Sequence, residues 1–167
     1  MDLIVTPDYE ALSRKAADLV AATVAARPNC NVVLPTGDTP MGLYRELIDR
    51  RARGEFDPSG LRIFQLDEYL GLAPNDPPSF YRWLAKSFLD PLRIPEGNVV
   101  RFASSSPEPD AACRDYEEEV RAAGGYDLAV LGLGANGHLG FNEPPANPHL
   151  PTRVVPLRRE TIETNAR

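Results

Sequence analysis

The chain has 167 residues, a formal net charge of -6, 43% hydrophobic residues and 25% charged residues. This is the balance of a globular chain long enough to bury a core, most simply as one domain. It argues against nucleic acid and anionic membrane as partners, since both need a basic surface, but leaves room for a phosphorylated small molecule, which needs only a local cluster of donors.

Leu3 to Val5 reads as a short first strand. Thr6 is placed to cap the helix that follows, with Pro7 in its first turn, where a missing N–H costs nothing. Leu12, Ala16, Leu19, Val20 and Val24 recur at helical spacing and predict one buried face. Asn31 to Leu34 is a second strand, and PTGDTP, Pro35 to Pro40, follows it. A helix is expected from Pro40, capped by Thr39, with Leu43, Leu47 and Ile48 on one side.

A strand, a glycine turn and a helix amino end together offer backbone N–H groups and a positive dipole end to an anion. Thr36, Gly37, Asp38 and Thr39 are therefore candidate substrate-binding residues. The turn lacks the Gly-Lys-Ser/Thr ending of a phosphate-binding loop of the Walker type, and it is not a dinucleotide fingerprint. An ordinary capped turn is the competing reading.

Gly54 ends the helix, and Leu61 to Leu66 is a third strand that delivers Asp67 and Glu68 at its carboxyl end. Acids in that position are either solvated loop charges or a general base aimed at a crevice. After a stiff loop at Pro74 to Pro78, Ser79 to Leu89 predicts a helix that buries Phe80, Trp83, Leu84 and Phe88. Asn98 to Arg101 is a short strand, and Asp110 to Ala123 a charged helix. Its Glu117, Glu118 and Glu119 read as a solvated face rather than a metal site.

Tyr126 to Pro144, YDLAVLGLGANGHLGFNEP, carries the densest chemistry. Leu128 to Leu131 run apolar without alternation, as a central strand covered on both faces would. Gly132, Gly134 and Gly137 then make a turn able to bring backbone close to a ligand. His138, Asn142 and Glu143 follow, which places a titratable base and an acid beyond a strand end, where open α/β sheets bind ligands. Pro144 to Pro151 is a loop holding a surface His149, Thr152 to Leu157 a further strand, and the chain ends in a polar, helical segment.

Cys30 and Cys113 show no metal spacing and are expected as reduced thiols. Asp2 and the lack of a long apolar run argue against a signal peptide or membrane span, so a cytoplasmic location is expected. Seventeen prolines punctuate the loops without forming a low-complexity tract. Strands alternating with helices predict an α/β fold with a mostly parallel sheet. The turns at 36–39, 67–71 and 132–143 then fall on one sheet edge and can converge.

In order, the motifs LPTGDTPMGLY, FQLDEYLGL and LGLGANGHLGFNEP closely resemble those of the glucosamine-6-phosphate deaminase (isomerase) family, over nearly the whole chain. The resemblance implies a Rossmann-like sheet with helices on both faces. It also implies conversion of glucosamine 6-phosphate and water to fructose 6-phosphate and ammonia, with no redox cofactor or catalytic metal. By matching position it makes Asp67 the enolisation base and His138 the ring-opening acid/base, with Glu143 orienting His138. Asn136 falls at a position that is Asp or Asn across the family. Glu68, Gly134 and Gly137 join Thr36 to Thr39 around the substrate.

Two departures carry consequences. Asp38 stands where the family usually has Gly, Ser or Asn beside the phosphate, and a carboxylate there costs on the order of a kcal/mol unless it turns away. Family members also continue beyond this length, through a lysine and an arginine that hold the phosphate. The segment begun at Thr161 to Asn165 normally runs into Arg-Phe-Phe, so Arg167 is expected to be a cut and the domain of residues 1–167 incomplete. Two other readings remain. One is a sugar-phosphate hydrolase like 6-phosphogluconolactonase, whose His motif usually runs GHTASLFP. The other is a catalytically silent remnant of the fold that self-associates through the surface a cut would expose.

Overall fold

A computed structural model describes residues 2–145, 147 and 149–165. Helix α1 (Tyr9–Ala26) starts after Asp8, whose extended backbone lets its carboxylate accept the Ala11 N–H at 2.7 Å. Thr6 is thus two positions too early to be the cap. The expected strand at Leu3 to Val5 does not form; Leu3 and Val5 are 82% and 83% exposed.

The buried stripe of α1 is Ser13, Ala17, Val20 and Val24, while Leu12 and Leu19, both expected inside, face outward. The reason is the closeness of helix α2 (Met41–Ala52). A β-carbon on Gly42 would meet Ser13 Oγ at 2.1 Å, so small side chains must occupy the crossing. The predicted Thr39 cap is also not made, since α2 has no side-chain cap.

Four parallel strands make the sheet: β1 (Asn31–Leu34), β2 (Arg62–Gln65), β3 (Val99–Val100) and β4 (Leu128–Ala129), in the spatial order β3-β2-β1-β4. Val32 is opposite both Ile63 and Leu128. Asp127 fixes the β1–β4 register by accepting the Asn31 N–H at 2.7 Å, and Asn31 Nδ2 donates to Ala123 and Gly125 carbonyls. Parallel strands leave their carboxyl ends, and the loops that follow them, on one edge.

The pleat sends alternate residues to opposite faces. Val32, Leu34 and Ile63 meet α1, α2 and the helical run that begins with α3 (Phe80–Leu84), passes through a π-helical turn at Ala85–Leu89 and ends as α4 (Asp90–Leu92). Val33 and Phe64 meet Tyr116 of α5 (Pro109–Ala122) on the other face. Both faces carry helices, as predicted.

Three expectations change. Among the described strands β4 is an edge, paired only with β1; Ala129 is exposed and Leu133 is 76% exposed. Its apolar run therefore did not signal two covered faces. Residues Thr152 to Leu157 form no strand. Glu117 is not merely solvated, because its Oε1 accepts the Thr152 N–H at 2.7 Å and the Thr152 hydroxyl at 2.6 Å. The described part of the chain ends in α6 (Arg159–Asn165). Residues 146 and 148 of the proline-rich loop, and the end at Arg167, lie outside the described residues. Among the described residues no helix is long and apolar enough to cross a membrane, and no group of acidic, Cys and His side chains is arranged to hold a metal.

Candidate active site

Asp67 follows β2 and is half-buried. Desolvation pushes its carboxyl up to about 7, and the neighbouring Glu68 charge adds to the rise. The loop from β4 reaches across β1 to it: a β-carbon on Gly140 would lie 3.4 Å from Asp67 Oδ2. Gly140 has φ 55, a conformation that favours glycine. Phe141, the next residue, packs its ring against Tyr69 and Phe80 with centroids 5.1 Å and 5.4 Å away. This aromatic trio fastens the 132–143 loop to the loop after β2. Sequence reading passed over Phe141; its only local signal is an aromatic inside a polar, glycine-rich turn.

Within the loop, the Gly134 N–H donates to the His138 carbonyl at 2.9 Å and the Gly137 N–H to the Gly134 carbonyl at 2.8 Å. The imidazole folds back on Gly134, where a β-carbon would sit 2.2–2.4 Å from three of its ring atoms. Only glycine leaves that room. Gly137, at φ 87, closes the turn.

Glu143 was expected to orient His138 directly, but Asn136 stands between them. Asn136 Nδ2 donates to Glu143 Oε2 at 2.8 Å, and Asn136 Oδ1 lies 3.1 Å from the His138 N–H and 2.7 Å from His138 Nδ1. The carboxylate only accepts and the backbone N–H only donates, so the amide orientation is fixed from both ends. Oδ1 then requires a proton on Nδ1, which leaves Nε2 to take up and release the exchangeable proton. Hydrogen bonds from the Thr161 hydroxyl, Asn136 and the Arg158 N–H, with the nearby His138, hold the Glu143 carboxyl below its ordinary range. It is ionised at neutral pH.

Thr36, Gly37, Asp38 and Thr39 follow β1, the strand between those that carry Asp67 and His138. Gly37 has φ 108. Among the described residues the backbone N–H groups of 36–39 have no internal acceptor, as an anion cradle requires. The next amides inward are already taken: Met41 donates to the Asp38 carbonyl at 3.2 Å, and Gly42 to the Tyr9 hydroxyl at 2.8 Å, which in turn donates to the Thr39 carbonyl at 2.9 Å. Asp38 is exposed.

Glu68 does something the sequence did not suggest. One carboxylate oxygen accepts the Tyr69 and Phe80 N–H groups at 2.9 and 3.0 Å. The other accepts from Gln65 Nε2 at 3.0 Å, Ser79 Oγ at 2.8 Å and the Tyr81 N–H at 3.0 Å. Glu68 thus anchors the amino end of α3 to the end of β2, and both of its oxygens are committed.

A cavity of about 350 Å³ opens on the α5 side of Asp67, between Phe102, Tyr116, Tyr126 and Val154. Neither His138 nor residues 36–39 line it. Asp67, Glu68, Phe141 and Asn142 do line it, so the cavity adjoins the loops after β2 and β4 while the imidazole and the 36–39 turn lie outside it.

The sequence pattern of the family described as glucosamine-6-phosphate isomerases/6-phosphogluconolactonase matches residues 7–155. The chain belongs to this family. A glucosamine-6-phosphate deaminase of Thermoanaerobacter sp. (strain X514) is 42% identical over all of this chain, which spans 66% of that relative's length. The deaminase of Clostridium botulinum (strain Loch Maree / Type A3) is 40% identical, with 68% of its length covered.

Among solved structures, a monomeric glucosamine-6-phosphate deaminase superposes with a TM-score of 0.95 at 34% identity, over 99% of this chain and 69% of that one. A 6-phosphogluconolactonase of Thermotoga maritima reaches 0.69 at 25% identity, over 87% of this chain and 67% of that one. Within the family the deaminase branch is the nearer of the two. The chain spans about two thirds of the length of these relatives.

Proposed function

We propose that this chain carries the proton-transfer chemistry of a glucosamine-6-phosphate deaminase. The observation that carries the reading is the Gly140 backbone set against Asp67, which joins the loop holding His138 to the β2 carboxylate. The resemblance in sequence and fold supplies the substrate class.

A cyclic amino sugar must open before C2 can lose its proton. His138 Nε2 takes the O1 proton and returns it to O5 as the ring bond breaks. The charge this creates on the imidazole is shared with Asn136 Oδ1 and, one bond further, with ionised Glu143. Asp67 then removes the C2 proton from the open-chain aldehyde and gives it to C1, while O1 gains a proton equivalent to the one the C2 amino group gives up. This leaves an imine at C2, to which water adds and from which ammonia departs. A carboxyl near neutrality suits a group that must accept and return the same proton. The free amides of residues 36–39 take the phosphate. No step uses a metal or redox cofactor.

The test is ammonia release from glucosamine 6-phosphate, run beside deuterium uptake at C2 from heavy water. Both should occur in protein of verified intact mass. C2 exchange without ammonia would place the loss after enolisation. Neither signal would favour the silent-remnant reading, and hydrolysis of 6-phosphogluconolactone in its place would favour the lactonase reading. A cytoplasmic location and self-association through the exposed β4 edge belong to the same proposal; organelle fractionation and sedimentation test them.

A further inference from the structure

The chain of contacts that fixes His138 does not end at Glu143. Glu143 Oε1 accepts the Thr161 hydroxyl at 2.6 Å and the Arg158 N–H at 3.2 Å, at the start of α6. Thr161 is only 3% exposed, so its hydroxyl has no water to prefer. A competitor is at hand: Arg158 Nε stands 4.0 Å from Glu143 Oε2, the oxygen that holds Asn136, and the Arg158 side chain is 52% exposed. Its guanidinium also donates to the Pro144 carbonyl at 2.6 Å. A carboxylate free to swing would trade Asn136 for Arg158. The short bond from Thr161 holds the opposite oxygen and stops that swing.

We propose that Thr161 is a positioning residue for His138: its hydroxyl pins Glu143, Glu143 pins the Asn136 amide, and the amide keeps the imidazole proton on Nδ1. The proposal deepens the deaminase reading, and its bearing on catalysis rests on that reading. The hydrogen-bond logic does not. Three donors in series, each with an acceptor that can only accept, leave one tautomer. Removing the first donor releases the second acceptor, and the tautomer becomes a mixture.

The experiment is nitrogen NMR of the imidazoles above their titration. The sequence has two histidines, and the exposed His149 serves as the internal reference. In the wild-type protein His138 should show a protonated Nδ1 and a bare Nε2. Thr161→Val keeps the shape and removes the hydroxyl; the two nitrogen shifts should move towards each other. Thr161→Ser should restore the wild-type pattern. A Thr161→Val protein with wild-type shifts overturns the proposal, as does a Thr161→Ser protein as altered as Thr161→Val.

If the valine variant does not fold, the wild-type protein still decides. A proton in a 2.6 Å bond should exchange slowly enough to observe, and its shift should follow the His138 titration. A Thr161 hydroxyl that is indifferent to that titration overturns the proposal. Ammonia release separates the two readings. If the deaminase reading alone fails, the tautomer pattern stands. If the Thr161 role alone fails, Thr161→Val releases ammonia with the wild-type pH profile.

Discussion

The backbone of Gly140 lies against the carboxylate of Asp67, so close that a β-carbon on Gly140 would stand 3.4 Å from Oδ2. One residue belongs to the loop after β4 and the other to the loop after β2, with β1 between them. This contact ties Asp67, the base of the proposed reaction, to the loop that carries His138.

Asp67→Asn should abolish C2 deuterium exchange, a loss of about 10²–10⁴-fold as expected for removal of a general base. Ring opening by His138 should persist, measured as anomerisation of the sugar phosphate. His138→Gln should show the reverse, with exchange recovered on a substrate locked open. Equal defects of both variants in both assays would refute the division of roles.

The raised pKa of Asp67 also has a stability signature. A carboxyl whose folded value is about 7 against an ordinary value of 3.8 binds its proton more tightly when folded. Stability from this group is therefore greatest at low pH and falls as pH rises through about 7. By linkage the fall between pH 5 and pH 8 is about 3 kcal/mol. Urea denaturation at the two pH values should show it in wild-type protein and not in Asp67→Asn. The acid limb of the rate profile should likewise rise with an apparent pKa near 7.

Asn136→Asp places a second carboxylate where Nδ2 now lies 2.8 Å from ionised Glu143. Two such groups must share a proton or move apart. Imidazole NMR should show His138 titrating higher than in wild-type protein, since its Nδ1 partner becomes an anion. An unchanged titration would mean that Asn136 does not govern His138.

Glu68→Gln removes the charge that five donors converge on and supplies an amide that cannot satisfy them all. The expected cost is about 2–4 kcal/mol, in line with losing one or more charge-assisted bonds. Urea denaturation measures it. The loss should appear as faster exchange of the Phe80 and Tyr81 amides rather than as a selective loss of phosphate affinity, which separates an anchoring role from a binding one.

Phe141→Ala should release the 132–143 loop from Tyr69 and Phe80. Aromatic pairs contribute about 0.5–1.5 kcal/mol each beyond burial. Hydrogen exchange in the loop should quicken while amides of β1 and β2 stay protected, and C2 exchange should fall with it. Unchanged loop protection would mean that the backbone alone holds the loop.

What the sequence determined by itself was local. Val32 to Leu34 and Ile63 to Phe64 announce buried strands because an apolar run must be covered whatever covers it. Gly137 and Gly140 beside His138 announce a turn because their backbone angles favour glycine. The order of motifs carried the family, and with it the residues from which the site is built. Tertiary structure decided everything that depends on a partner distant in sequence. Leu3 to Val5 has the composition of a strand but no neighbour to pair with. Leu12 and Leu19 lost the inner face of α1 to Ser13 and Ala17, because Gly42 brings α2 too close for larger side chains. Glu68 looked like half of an acidic pair until the amino end of α3 arrived to claim both its oxygens. The orienting contact from Glu143 to His138 needed Asn136 between them and Thr161 behind it. Periodicity and propensity describe what a segment can do alone; a hydrogen bond across the fold is fixed only when both ends have been brought together and water has been excluded from between them.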